Sequence, residues 1–163
     1  MIRSHIVTGL VKNETGTLNR LTSLFRRRGF SLASLNAGDC EKPGHSRLTL
    51  VVNADDDTLS QCLRQLEKLL DVVQVQDLQP ESAFRTELAI VKLSPSPEES
   101  QQAVLAAQAA SPRPVQTFGA LIVATLVDQP ESLERSIASL SEFGLVEVVR
   151  TGLVALAAEQ TVG

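Results

Sequence analysis

Apolar positions along the chain switch repeatedly between a spacing of two and a spacing of three or four, which is how strands and helices announce themselves in sequence. "RSHIVTGLVK", residues 3–12, carries apolar side chains suited to a strand and stops at Asn13, Glu14, Thr15 and Gly16. From Thr17 to Arg28 the residues Leu18, Leu21, Leu24 and Phe25 recur at helical spacing, and Gly29 stands where a helix-ending glycine belongs. "FSLASLNAGD" reads as a second strand, "KPG" as a turn and "HSRLTLVVNA" as a third strand. A helix then opens on Asp55, Asp56 and Asp57, with Leu59, Cys62, Leu63, Leu66 and Leu69 or Leu70 as its inward face. "VVQVQDL" completes the set as a strand.

The order through residue 78 is therefore β-α-β-β-α-β, the ferredoxin-like arrangement, in which four antiparallel strands carry two helices on one face. After the polar link "QPESAF" the order recurs. "RTELAIVKL" is a strand and "SPEESQQAVLAAQAA" a helix; "RPVQTF" and "GALIVATLVD" are strands; "QPESLERSIASLSEF" is a helix ending at Gly144. "LVEVVR" and "GLVALA" follow as short strands, and "EQTVG" is expected to fray. The pattern predicts an α+β protein of two ferredoxin-like βαββαβ domains, residues 1–78 and 85–163, joined by a linker at 79–84. Domains of this size bury comparatively little surface, so pairing with each other or with a second copy is expected.

Composition narrows the function. The 163 residues carry a net charge of −4, with a pI near 5.2, against the positive field that nucleic acid demands. Arg26, Arg27 and Arg28 fall at a helix end, where cations complement the dipole. There are five Phe and no Tyr or Trp, so the stacking platforms of an RNA-binding sheet are missing. The first residues hold no signal-peptide core and no apolar run reaches the ~18 residues of a membrane span, so a cytoplasmic protein is expected. Cys40 and His45 flank the "CEKPGH" turn, but zinc wants about four ligands in tighter pairs. Cys62 reads as a small core residue and Asp55–Asp57 as a solvated helix start. Nothing resembles a phosphate loop or a set of catalytic residues.

The junction at residues 13–18 carries the most chemistry. A helix starting straight after a glycine turn offers free backbone N–H groups and the positive end of its dipole, here at Thr17 and Leu18. Gly16 lets a ligand approach the backbone closely. The Asn13 side chain can accept from an ammonium and donate to a carboxylate, and Leu18 supplies an apolar wall. These features suit a small apolar α-amino acid. The same residues are also ordinary turn formers, with Thr15 available as a helix cap.

"NETGTLNRLTSLFRRRGFSLASL" resembles the opening of the small regulatory subunits of acetohydroxyacid synthase (acetolactate synthase), matching that family at Asn13, Gly16, Leu18, Arg20, Leu24, Phe25, Arg28, Gly29, Ser34 and Leu35. "SRLTLVV", "QLEKLLDVVQVQDL", "RTELAIVK" and "FGLVEVVRTGLVAL" resemble the same family in the same order. The resemblance implies that the first domain is an ACT domain, and that a homodimer binds a branched-chain amino acid, valine foremost, between two ACT domains. It implies a large catalytic subunit as partner, carrying thiamine diphosphate, a divalent metal and FAD, which the small subunit activates and places under feedback inhibition. The small subunit itself is implied to be no enzyme and to bind none of those cofactors.

By the same resemblance, Asn13 and Gly16 match the effector site, Thr17 and Leu18 add backbone N–H groups, and Ser31 stands where the family has an Asn contributed across the dimer. Ser offers one hydroxyl in place of a longer amide, so reach and hydrogen-bond count both fall. The second half departs further, without the family's Gly-x-x-x-Lys in "TLVDQPESLERSI" and without its closing Arg-Gly after "ALAAEQ". An ACT-type amino-acid sensor serving a different enzyme is the alternative.

Overall fold

In the computed structural model, which describes residues 1–158, the chain forms two compact units, one of residues 1–85 with the segment from Leu153 onward, the other Thr86–Gly152. The "EQTVG" end lies outside the described residues. In the first unit β1 (Arg3–Lys12), α1 (Thr17–Arg28), β2 (Ser31–Asp39), β3 (His45–Ala54), α2 (Asp56–Leu66) and β4 (Val72–Leu78) follow the predicted order. The strands form an antiparallel sheet in the order β2-β3-β1-β4.

The helical stripes and alternate strand residues meet as one core. Leu21, Leu24 and Phe25 of α1 and Leu59, Cys62 and Leu66 of α2 pack with Val7, Val11, Leu50 and Val52 of the sheet. Burial pushes the Cys62 thiol up to about 11, in keeping with a core role. The second helix ends at Leu66; Leu69 still packs against the core, whereas Leu70 points to solvent.

A 3₁₀ turn (Pro80–Ser82) leads into β5 (Ala83–Leu93). The second unit then adds α3 (Ser100–Ala110), β6 (Gln116–Phe118), β7 (Leu121–Asp128), α4 (Pro130–Ser141) and β8 (Leu145–Arg150), with strands ordered β6-β7-β5-β8. Ala89, Val91 and Leu93 face Ala103, Ala107, Leu133 and Leu140 of the two helices. Gly144 has φ 77°, and a Cβ there would sit 2.5 Å from the Ser94 carbonyl oxygen, so only glycine passes. Two buried oxygens of Glu87 accept from Arg150 Nε and Nη2 at 2.8 and 2.9 Å, and Arg150 also pairs with Glu134. This bidentate pairing holds the guanidinium above its ordinary range.

The final strand, β9 (Val154–Ala157), departs from the expected division at residue 85. It pairs with β5, and the Ala158 N–H donates to the Ser82 carbonyl at 2.9 Å. The Ala155 N–H donates to Thr49 Oγ1 at 3.2 Å, and Leu153 closes over Ile6 and Leu78. Those residues and Val51 make an apolar patch on the rear of the first sheet, and residues 153–158 cover it. Alternation marked "GLVALA" as a strand but could not say which sheet it joins.

Candidate functional site

The β1–α1 junction is fixed by backbone bonds on both sides. The Lys12 N–H donates to the Asp71 carbonyl and the Asn13 N–H to the Gly44 carbonyl, both at 2.8 Å. Thr17 Oγ1 donates to the Lys12 carbonyl at 3.1 Å. Beneath the turn the buried Asp71 carboxylate accepts from Arg20 Nε at 2.5 Å, so α1 is tied to the segment before β4. The loop that would touch a ligand is thus held by neighbours that do not.

Gly16, at φ 90°, is itself the N-cap, and no side chain caps the helix. Thr15 therefore does not take the capping role that the sequence left open for it. The helix start is still partly satisfied: the Thr17 N–H turns back to the Glu14 carbonyl at 3.1 Å. The outward donors shift one residue along, to Leu18 and Asn19, whose N–H groups lie in the first turn where no preceding helical carbonyl exists. The helix dipole adds positive potential at the same point.

These residues line a cleft of about 280 Å³. Asn13, Gly16, Thr17 and Leu18 come together there, with Val11, Ala37 and Leu48 as apolar wall and Glu14, Asn19 and Ser46 at the polar edge. The volume sits near the lower end for small-molecule pockets, roughly 300–1,000 Å³. Asn13 Nδ2 donates to Asp39 Oδ1 at 3.1 Å, which leaves the amide oxygen and its second N–H for other partners. The Asp39 carboxylate, held by that bond, puts negative charge beside the Asn13 amide. Ala37, Asp39, Ser46 and Leu48 were not among the residues singled out from sequence. The pairing of β2 with β3, Ala37 opposite Leu48 and Asp39 opposite Ser46, delivers them, and a register is invisible in one strand's own alternation.

Ser31 is not at this cleft. It begins β2, opposite Asn53, whereas Asp39 ends the strand beside Asn13. At about 3.3 Å per residue the two ends of β2 are roughly 25 Å apart. One copy of the sheet therefore holds the two halves of the expected site at opposite ends of an edge strand.

The remaining candidates settle into structural roles. Cys40 Sγ lies 3.5 Å from the His45 carbonyl, and His45 Nδ1 is 2.9 Å from the Pro43 carbonyl, so both stabilise their turn. The buried His5 ring has Nε2 3.1 Å from the Ala54 carbonyl. Asp55 caps α2 by accepting from the Thr58 N–H at 2.8 Å, and Asp56 pairs with Arg3 at 2.8 Å. Among the described residues, no three His, Cys, Asp or Glu are grouped to hold a metal ion, and no helix is long and apolar enough to cross a membrane.

Residues 8–74 match the model of the AHAS small subunit-like ACT domain, so the first βαββαβ unit is an ACT domain. Residues 86–159 match that of the small subunit of acetolactate synthase. The chain belongs to the family of acetolactate synthase small subunits. It is 33% identical over 154 residues to a probable acetolactate synthase small subunit of Methanothermobacter thermautotrophicus, covering 94% of this chain and 92% of that one. It is 30% identical over 153 residues to the acetolactate synthase small subunit of Mycolicibacterium smegmatis, covering 94% and 90%. The crystal structure of the acetolactate synthase small subunit from Thermotoga maritima superposes with a TM-score of 0.87 at 30% identity, over 98% of this chain and all of that one.

Proposed function

We propose that this chain is the non-catalytic regulatory subunit of a cytoplasmic acetolactate synthase, which activates the large catalytic subunit and transmits feedback inhibition by a branched-chain amino acid, valine foremost. The observation that carries this reading is the helix start at Gly16, uncapped by any side chain, above a small apolar-walled cleft. The amino acid's carboxylate meets the Leu18 and Asn19 N–H groups and the dipole of α1. Its ammonium meets the Asn13 amide oxygen within the field of Asp39, and its aliphatic side chain lies toward Val11, Ala37 and Leu48. In this reading thiamine diphosphate, the divalent metal and FAD sit on the catalytic partner.

The chain acts as a homodimer here. β2 is an edge strand, and an edge offers unpaired backbone groups to a second copy. Pairing two such edges antiparallel sets the Ser31 end of one strand beside the Asp39 end of the other. Ser31 then reaches the partner's cleft with one hydroxyl. The amino acid regulates because it binds one arrangement of the dimer better than another, and that difference alone can shift the equilibrium felt by the catalytic subunit.

The test is to mix the purified chain with its catalytic subunit, folded and cofactor-loaded, and to measure acetolactate formation with and without valine. Activation that valine reverses is expected. Activation without a valine response retires valine as effector, and Ser31→Asn then shows whether the shortened side chain is the cause. No activation retires the partnership and favours an ACT sensor for a different enzyme.

A further inference from the structure

Polar side chains that leave water on folding need partners, and the buried ones here have them with one exception. Among the described residues, His5, Thr17, Thr49, Asp71, Glu87 and Ser111 are buried, and each is bonded to a backbone group or an ion-pair partner. Ser46 is only 9% exposed, yet its Oγ has no hydrogen-bond partner among the described residues. Side-chain oxygens and nitrogens sealed from solvent are all partnered, so the unpaired Oγ opens into the cleft that Ser46 lines.

We infer that Ser46 is a direct ligand of the effector's ammonium group, and the residue by which the cleft tells an α-amino acid from a 2-hydroxy acid of the same carbon skeleton. The strand register places it for this role. Ser46 lies opposite Val11 on one side and Asp39 on the other. Facing residues of a ladder stand about 4.5–5.5 Å apart at Cβ. Asp39 in turn accepts from Asn13 Nδ2 at 3.1 Å, so the Asn13 amide, the Ser46 hydroxyl and the Asp39 carboxylate meet where β2 ends and β3 begins. Ala37 and Leu48, the next pair along the same face, lie about 7 Å further on and form the apolar wall. The polar group thus stands where the head of an amino acid belongs when its side chain points to Leu48.

An ammonium brings three N–H donors and a full charge, and out of water each donor needs an acceptor. Asn13 Oδ1 takes one, Ser46 Oγ a second, and the third turns toward the charge of Asp39. A hydroxyl on the same carbon brings one donor and no charge. It can donate to Ser46 or to Asn13, not to both. Hydrogen bonds to ionised groups are about twice as strong as neutral ones, so the Ser46 hydroxyl contributes more to holding the amino acid than the hydroxy acid. This assignment rests on the effector reading above and adds to it the residue that sets the class of ligand.

The experiment titrates valine and 2-hydroxy-3-methylbutanoate, which shares valine's carboxylate and side chain, into the full parent chain and into Ser46→Ala by calorimetry. Circular dichroism checks the fold, and Asp39→Asn serves for the same comparison should Ser46→Ala fail to fold. The parent is expected to prefer valine by at least about tenfold. Ser46→Ala should weaken valine about tenfold or more and the hydroxy acid no more than about threefold. Equal losses for the two ligands overturn the inference, since a hydroxyl that merely supports the cleft weakens both alike. An unchanged valine affinity overturns it too, while leaving the junction as the effector site. A parent chain that binds neither compound retires the effector reading itself, and the inference falls with it.

Discussion

Gly16 combines two requirements at one position. Its φ of 90° costs an L-residue about 1–2 kcal/mol, and a Cβ would come within 3.1 Å of Arg20 Nη1. Gly16→Ala is therefore expected to leave the fold intact, lower stability by about 1 kcal/mol and weaken the valine response at least about tenfold. Titration calorimetry and inhibition of the reconstituted enzyme check this; an unchanged inhibition midpoint would remove the junction from the effector site. Arg20 acts one step back. Arg20→Met leaves the buried Asp71 carboxylate without its cation, and a loss of about 2 kcal/mol is expected because Arg20 is half exposed. Urea unfolding measures that loss, and the double variant Arg20→Met with Asp71→Leu should recover part of it. That Asn13 and Gly16 meet at one strand–helix junction was legible in sequence because residue types report local backbone needs. Asp39 and Ser46 were not, since their place depends on strands brought together only by folding.

At the level of elements, α1 and α2 start by different means. α1 begins on a glycine with no side-chain cap, while α2 begins on Asp55, whose carboxylate accepts from Thr58. That hydrogen bond holds Asp55 below its ordinary value of 3.8. A depressed carboxylate contributes stability above its unfolded pKa and loses it as pH falls through the folded value. Asp55→Ala should therefore lower the Tm by a few degrees at pH 6. The gap between variant and parent should close as pH drops below 3.8, and thermal scans between pH 6 and pH 3 read it. A gap independent of pH would mean that the cap acts through shape rather than charge. Element types were readable from spacing throughout, and their ends less so. β6 is confined to Gln116–Phe118 although "RPVQTF" read as strand from Arg113, since the Pro114 nitrogen carries no N–H to donate to a ladder. The second repeat's first helix begins at Ser100, after a turn in which Glu99 N–H donates to Ser96, rather than at the Pro97 entry.

At the scale of the molecule the chain leaves the first unit at residue 85 and returns to it at Leu153. A chain cut after Arg85 would keep every element of the βαββαβ order and still lack the cover over Ile6, Val51 and Leu78. Such a fragment should bind a hydrophobic dye and unfold at lower urea than the same unit in the full chain. Chemical denaturation of fragment and full chain tests this, and equal midpoints would show the cover to be dispensable. No reading of the first 85 residues could have revealed the need, because the residues that meet it are far away in sequence. The same path sets a schedule for synthesis. The patch formed by Ile6 and Leu78 waits while residues 86–152 are translated, roughly 3–13 s at 5–20 residues per second. For that interval the nascent first domain is sticky on its rear face, and its solubility in the cell rests on how fast the ribosome delivers the last strand.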